Sequence, residues 1–240
     1  MQVYNLVLEI TRKCNLRCAH CLRGPAQRLS MSREVLNEVL SNFDYISSVT
    51  FTGGEPSLAP EVIEEFLTDI RMRGITVGYF YVVSNGQSHN RYKRFLRALS
   101  ELYEWCDEKD SCCLEVSQDQ FHPGLDWRSK RQFENEWGDD LPFFYPKHRT
   151  NYIPEPINEG NALKNGVGYQ EPDPQKPWRM HEDSIEEETL YISANGNVTS
   201  CCDMSFKRID TEHKGNVLKA NLRDIVESFC VKESTEEEAA

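Results

Sequence analysis

VYNLVLEITRKCNLRCAHC, residues 3–21, is an apolar run that ends in three cysteines. VYNLVLEI reads as a β-strand, and the cysteines follow it at once. ISSVTFTGGEP, residues 46–56, repeats the form: a strand that runs into Gly53-Gly54-Glu55-Pro56. Between the two, MSREVLNEVLSN places Met31, Val35, Leu36, Val39 and Leu40 on one helical face, with Ser30 as its expected cap.

The same alternation continues outward. Pro60 stands in the first turn of a helix whose apolar face is Val62, Ile63, Phe66, Leu67 and Ile70. TVGYFYVVS is a third strand ending at Asn85-Gly86, and the helix after it carries Tyr92, Phe95, Leu96, Leu99 and Leu102. CCLEVSQD is a fourth strand, a fourth helix is expected over 126–137, and a fifth strand within 141–153. Strands alternating with helices build a parallel sheet. The expected fold is therefore α/β, a partial (β/α) TIM-like barrel of five to six parallel strands. In βα folds the site forms where strands end. The cysteine loop, GGEP, SNG and SQDQFH should all meet at one mouth.

After residue 160 the pattern changes. GNALKNGVGYQEPDPQKPW reads as short helix plus loop, and LYISANGNVTSCCD as a β-hairpin turning at Asn195-Gly196. NLRDIVESF suits a short helix capped by Asn221. The expected organisation is a core over 1–165, a C-terminal hairpin and helix extension over 166–230, and a disordered acidic tail over 231–240.

Bulk properties exclude several classes. The 240 residues are 39% hydrophobic, enough for one globular core, and no run approaches a membrane span. The N-terminus has no signal-peptide pattern, so a cytoplasmic protein is expected. A net charge of −12 disfavours a nucleic-acid partner. Nine cysteines are an odd count with no secretory signal, which reads as metal ligation rather than a disulfide framework.

Cys14, Cys18 and Cys21 follow a C-x3-C-x2-C spacing. Three thiolates so spaced can wrap one face of a 4Fe–4S cube and leave its fourth iron open. Zinc stays possible, although structural zinc prefers four ligands in two pairs, with His20 the one nearby recruit. A trio of unliganded thiols also stays possible.

Taken with Gly-Gly-Glu-Pro after the second strand, this cysteine spacing resembles the radical S-adenosylmethionine (AdoMet) superfamily. CNLRCAHC with FTGGEP is similar to its SPASM/twitch-type members, and the likeness covers residues 1–165. The resemblance implies one 4Fe–4S cluster on Cys14, Cys18 and Cys21, with AdoMet bound at the open iron. It implies reductive cleavage of AdoMet to a 5′-deoxyadenosyl radical that abstracts a substrate hydrogen. By the same resemblance Gly53, Gly54 and Glu55 receive the methionine amino group, and His20 packs near the adenine. Ser84 and Asn85 line the AdoMet pocket, Ser117 meets the ribose hydroxyls, and Asp119 and His122 lie nearer the substrate.

The C-terminal hairpin resembles the start of a SPASM or twitch domain. Cys201 or Cys202 fits its first ligand place, but the second falls at Ala220, so no auxiliary cluster is expected. Cys202 is instead a candidate hydrogen donor or acceptor at the active site. Cys106, Cys112 and Cys113 read as core thiols, and Cys230 as part of the last helix's apolar stripe. Gly160-Asn161-Ala162 resembles a Gly-Arg-Ala element with Asn in place of Arg, and serves as a topology marker. The resemblance implies a peptide or protein side chain as substrate, with a small metabolite or nucleotide second, and an electron donor such as flavodoxin or ferredoxin. A zinc-binding structural protein is the rival of another class.

Overall fold

The computed structural model describes residues 1–87, 90–119, 121–123, 141–145 and 155–231. Strands β1 (Gln2–Thr11), β2 (Tyr45–Gly53), β3 (Thr76–Ser84) and β4 (Cys113–Val116) alternate with helices α1 (Arg33–Leu40), α2 (Pro60–Arg73) and α3 (Tyr92–Trp105). Beyond β4 come a two-stranded ribbon, β5 (Gln118–Asp119) and β6 (His122–Pro123), and then β7 (Phe144–Tyr145). The C-terminal third supplies α4 (Gly160–Asn165), β8 (Arg179–His181), β9 (Ser184–Ile192), β10 (Asn197–Thr199), α5 (Phe206–Glu212), β11 (Gly215–Asn216) and α6 (Leu222–Ser228).

The main sheet runs β11-β10-β9-β1-β2-β3-β4-β7, with β8 beside β9. Every neighbouring pair from β9 to β7 is parallel, so six parallel strands form an open sheet among the described residues. β1 to β3 are rich in apolar residues, as parallel strands covered on both faces must be. Leu6, Leu8, Phe51, Val77 and Phe80 pack there against Leu36, Phe66 and Leu99 from the helices, all fully buried. The helix faces expected from periodicity are the buried ones, and Pro60 opens α2 while Asn221 caps α6.

Some expectations shift. Ser32, not Ser30, caps α1 by accepting the N–H of Val35. The reason is upstream: Met31 N–H donates to Ile10 and Ser30 bridges Thr11, so the chain is still extended there. The expected fifth strand is present as Phe144–Tyr145, beside Leu114 and Glu115. The helix expected over 126–137 lies outside the described residues. Cys230 is not on the last helix, which ends at Ser228; it bridges Trp178 instead. Cys106 and Cys112 are buried as expected, and Cys113 is half-buried where β4 starts.

The C-terminal hairpin forms and turns at Gly196, whose φ of +84° suits glycine. Its first strand also extends the parallel sheet. β9 lies parallel to β1 along its free side and joins the main sheet.

Candidate active site

The ends of β1 and β2 are tied together before the cysteines begin. Gly54 N–H donates to Thr11 O and Glu55 N–H to Lys13 O, each at 2.8 Å. Gly53 has φ +141°, and a Cβ there would lie 1.9 Å from Thr11 O. A Cβ on Gly54 would lie 2.3 Å from Lys13 O. These glycines admit the neighbouring chain that leads into the cysteine loop, a role the motif alone did not reveal.

From the other side the loop is held by α4. Asn161 N–H donates to Cys21 O at 2.8 Å, and its Nδ2 donates to Cys18 O at 3.2 Å. Asn165 Nδ2 donates to Ala19 O at 3.0 Å. Gly160, at φ +57°, lets this turn approach, since a Cβ there would meet Leu22 O at 2.2 Å. The departure from Gly-Arg-Ala thus places a short amide where it braces the Cys18 carbonyl, while the backbone N–H holds that of Cys21. Asn161→Ala is expected to cost about 1 kcal/mol by removing the side-chain bond. Urea unfolding of the cluster-free protein measures that loss, and iron bleaching under chelator should be faster in the variant.

The loop, the ends of β2 and β3, and α4 enclose a cavity of about 1140 Å³. Cys14, Cys18, Cys21, His20, Gly53, Gly54, Glu55, Ser84, Asn85, Ser117 and His122 all line it. Eleven of the thirteen residues proposed from sequence therefore share one space. Asp119 stands behind His122, and Cys202 is placed elsewhere.

Glu55 is buried, and its carboxylate gathers the strand ends. Oε1 accepts from Ser57 N–H, from the Ser57 hydroxyl and from Ser84 Oγ at 2.9 Å. Oε2 accepts Asn85 N–H at 2.8 Å. Burial pushes this carboxyl up despite those donors. A carboxylate oxygen has two lone-pair directions, so Oε2 has room for one more donor. Asn85 Nδ2 reaches Asn15 Oδ1 at 2.9 Å, and Ser117 N–H bonds Ser84 O at 2.9 Å, closing β3 against β4.

Cys18 and Cys14 resist ionising alone. Burial, with Cys21 and Cys14 as close neighbours, pushes Cys18 up to about 11, and burial also raises Cys14. Holding three thiolates here needs added positive charge, which a cluster's irons supply. Leu16 N–H already points at Cys14 Sγ at 3.4 Å. No three His, Cys, Asp or Glu side chains among the described residues converge closely enough to hold one metal ion.

His20 stacks on Phe121 with centroids 4.1 Å apart and meets His122 edge-on at 4.9 Å. Burial, then His122, pushes it down to about 4, so its ring is neutral near pH 7. Among the described residues its Nδ1 is buried without a hydrogen-bond partner, as a site built around an absent polar ligand would leave it.

Beneath the loop lies a charge network that sequence reasoning missed. Buried Arg12 donates Nε to Glu9 at 2.6 Å and is held bidentate by Asp210 at 2.7 and 2.8 Å. Glu9 also accepts from Tyr191 Oη at 2.6 Å and Ala194 N–H at 3.0 Å. Burial opposes the Arg12 charge, but Asp210 and Glu9 outweigh it. Arg23, also buried, lies over the Tyr191 ring and donates to Met204 O at 2.7 Å. The network joins β1, β9 and α5 just before Cys14. A carboxylate inside VLEIT, three residues ahead of Arg12, was its one visible signal.

Cys201 and Cys202 pack beside Tyr191, Met204 and Phe206, outside the cavity lining. Cys201 Sγ faces Asp173 O at 3.2 Å, and Cys202, pushed up to about 11 by burial and Asp203, faces Asp203. Cys202 is thus not brought together with the other candidates.

Residues 8–107, from β1 past the end of α3, match the radical SAM superfamily. The match spans 100 of the 240 residues. Radical SAM proteins bind a 4Fe–4S cluster and AdoMet, and the three cysteines that line the cavity, with the orphaned His20 Nδ1, fit that pair of groups. Similar curated proteins include Bacillus subtilis YfkA, 30% identical over 74 residues. Another is the GTP 3′,8-cyclase of Lactiplantibacillus plantarum, 37% identical over 65 residues. These matches take in 29% and 24% of this chain but only 20% and 19% of the relatives, so the shared stretch is about a fifth of their length. The solved structure described as native anSMEcpe with bound AdoMet and Cp18Cys peptide has the same fold. Its TM-score is 0.54 at 15% identity, covering 96% of this chain and 83% of that one. Among the described residues no helix is long and apolar enough to cross a membrane.

Proposed function

We propose that this radical SAM protein is an enzyme that cleaves AdoMet reductively and abstracts a hydrogen from a peptide or protein side chain. The observation that carries the reading is the gathering of three cysteines, Gly53-Gly54-Glu55 and the β3 and β4 ends around one cavity. When bound, the cluster and AdoMet supply a carbon radical able to take a substrate hydrogen.

The chain's own part is binding and shielding. Cys14, Cys18 and Cys21 hold three irons. Glu55 Oε2, with its spare acceptor direction, receives the methionine ammonium as a charge-assisted bond. Gly53 and Gly54 line the cavity beside that group. Neutral His20 packs against the adenine and offers Nδ1 to it. Ser117 meets the ribose, and Lys164 lies at the cavity wall on α4. Arg23 and Phe206 close the floor against water.

A peptide substrate agrees with a sheet that is open among the described residues, and with the peptide held by the anSMEcpe structure. A nucleotide is the second reading, favoured by the likeness to the GTP 3′,8-cyclase. A flavodoxin- or ferredoxin-type protein would supply the electron. Incubation of the reconstituted protein with AdoMet and dithionite, read by mass spectrometry, tests the activity. Release of 5′-deoxyadenosine is expected, falling at least about a hundredfold in Cys18→Ala because that change removes a metal ligand. Equal release from the two proteins would refute the proposal.

A further inference from the structure

Two arginines lie buried beside the cysteine loop, and among the described residues only one of them is neutralised. Arg12 meets Glu9, Asp210 and Gln27. Arg23 is only 9% exposed, and its side chain makes one hydrogen bond among the described residues, from Nη1 to Met204 O at 2.7 Å. Glu9, the carboxylate of the same network, is already taken by Arg12, Tyr191 and Ala194. A guanidinium carries five N–H donors and stays charged, so Nε and Nη2 of Arg23 are left without an acceptor. Burying such a charge without a counter-ion is costly.

The group is nonetheless fixed in place. Phe206 N–H donates to Arg23 O at 3.1 Å, and the guanidinium carbon lies 5.1 Å from the Tyr191 ring centre. Arg23 lines the cavity, and none of its nitrogens is among the polar atoms sealed away without a partner, so the free donors reach open space. Arg17 and Lys164 also line the cavity, both exposed and without an ion pair among the described residues. The carboxylates of the lining are Glu155 and Glu55, and the strand-end donors already hold Glu55. Three cations thus face two carboxylates in a chain of net charge −12. Position separates Arg23 from the residues read above as the AdoMet site. Glu55, Ser84, Asn85 and Ser117 stand at or just past the ends of β2, β3 and β4. Tyr191, Met204 and Phe206 belong to β9 and the entry to α5, on the other side of β1.

We propose that Arg23 binds an oxyanion of the substrate, a carboxylate or a phosphate, through Nε and Nη2. This rests on the reading of the cavity as the substrate site of a radical SAM enzyme. A guanidinium presents parallel donors that match two oxygens of such a group, and the charge on both sides strengthens the bonds. For a peptide the oxyanion is an Asp or Glu side chain; for a nucleotide it is a phosphate. Tyr191 and Met204 O hold the fork before the ligand arrives, so little order is lost on binding.

The test uses the reconstituted protein with AdoMet bound and reads binding by calorimetry. The probes are inorganic phosphate and the capped tripeptides Ala-Glu-Ala and Ala-Gln-Ala. The native protein is expected to bind phosphate or Ala-Glu-Ala at least about tenfold more tightly than Ala-Gln-Ala, and the tighter of the two anions names the source. Arg23→Gln should abolish that preference, and Arg23→Lys should keep part of it. Lys164→Ala, at the exposed wall, should change it by less than about fivefold. Equal losses in Lys164→Ala and Arg23→Gln would show a diffuse field and overturn the proposal. So would a native protein that binds both tripeptides equally and ignores phosphate, a result that needs no variant to fold. An Arg23→Gln protein that keeps the preference but binds AdoMet more weakly would also overturn it, by assigning the guanidinium to the cofactor. If the native protein takes up no cluster and releases no 5′-deoxyadenosine, the reading itself fails and the proposal falls with it. Release of 5′-deoxyadenosine without the anion preference would sink the proposal alone.

Discussion

A Gly53→Ala chain is expected to lose about 4 kcal/mol of stability, combining a strained backbone with an overfilled contact. It is also expected to lose the capacity to hold iron. At φ +141° an L side chain is strained wherever it points, and here it points at Thr11 O, 1.9 Å from the new Cβ. The obstacle is backbone, so no rotamer relieves it. Relief requires β1 to move away from β2, and β1 leads directly into Cys14. The defect should therefore show twice, in urea unfolding of the cluster-free protein and in the iron retained after reconstitution. Gly74→Ala is the contrast. Gly74 also has positive φ, +69°, but nothing lies within 4 Å of its Cβ position. Its cost should be limited to about 1 kcal/mol of backbone strain, with iron content unchanged. Equal losses in the two variants would mean that the close approach at Thr11 is unimportant.

The second large effect is expected at Arg12. Replacing it by methionine leaves Glu9 buried without its cation, and breaking a buried pair in this way costs about 3–5 kcal/mol. Asp210 is more than a third exposed, so Asp210→Asn should cost far less. The double variant Glu9→Gln with Arg12→Met removes both buried charges. It should recover part of the loss, giving a favourable interaction energy in the double-mutant cycle. Chemical denaturation of the four cluster-free proteins measures this. Additive losses would show that Glu9 and Arg12 are not coupled. Because Asp210 lies on α5 and Tyr191 on β9, the network makes the C-terminal third a support for the cysteine loop.

Much of this architecture could be read directly from residue patterns. The helical faces of α1, α2 and α3 repeat every three to four residues; β2 and β3 are apolar runs closed by Gly or Asn, and β1 is one that leads into the cysteines. C-x3-C-x2-C and Gly-Gly-Glu-Pro then fell at the ends of β1 and β2, and topology brought them together. The parts that were not legible depend on partners remote in sequence. Arg12 finds Asp210 across 198 positions, and nothing local in FKRIDTE announces that pairing. Asn161 braces Cys18 across 143 positions, and from sequence it stood out only as a departure from an expected arginine. Ser30 and Ser32 are equally good caps by type; the hydrogen bond from Met31 to Ile10 decided between them. The hairpin spacing offered Cys201 or Cys202 as a ligand of an auxiliary cluster, and with that cluster set aside Cys202 was a candidate at the active site. The packing of α5 with Tyr191 and Met204 put it outside.

The central claim is that Cys14, Cys18 and Cys21 hold an iron–sulfur cube. Metal and acid-labile sulfide analysis after anaerobic reconstitution tests it most directly. About four irons and four sulfides per chain are expected, with visible charge-transfer absorbance. All should be lost when the three cysteines are replaced by alanine. One zinc per chain with no sulfide would contradict the account.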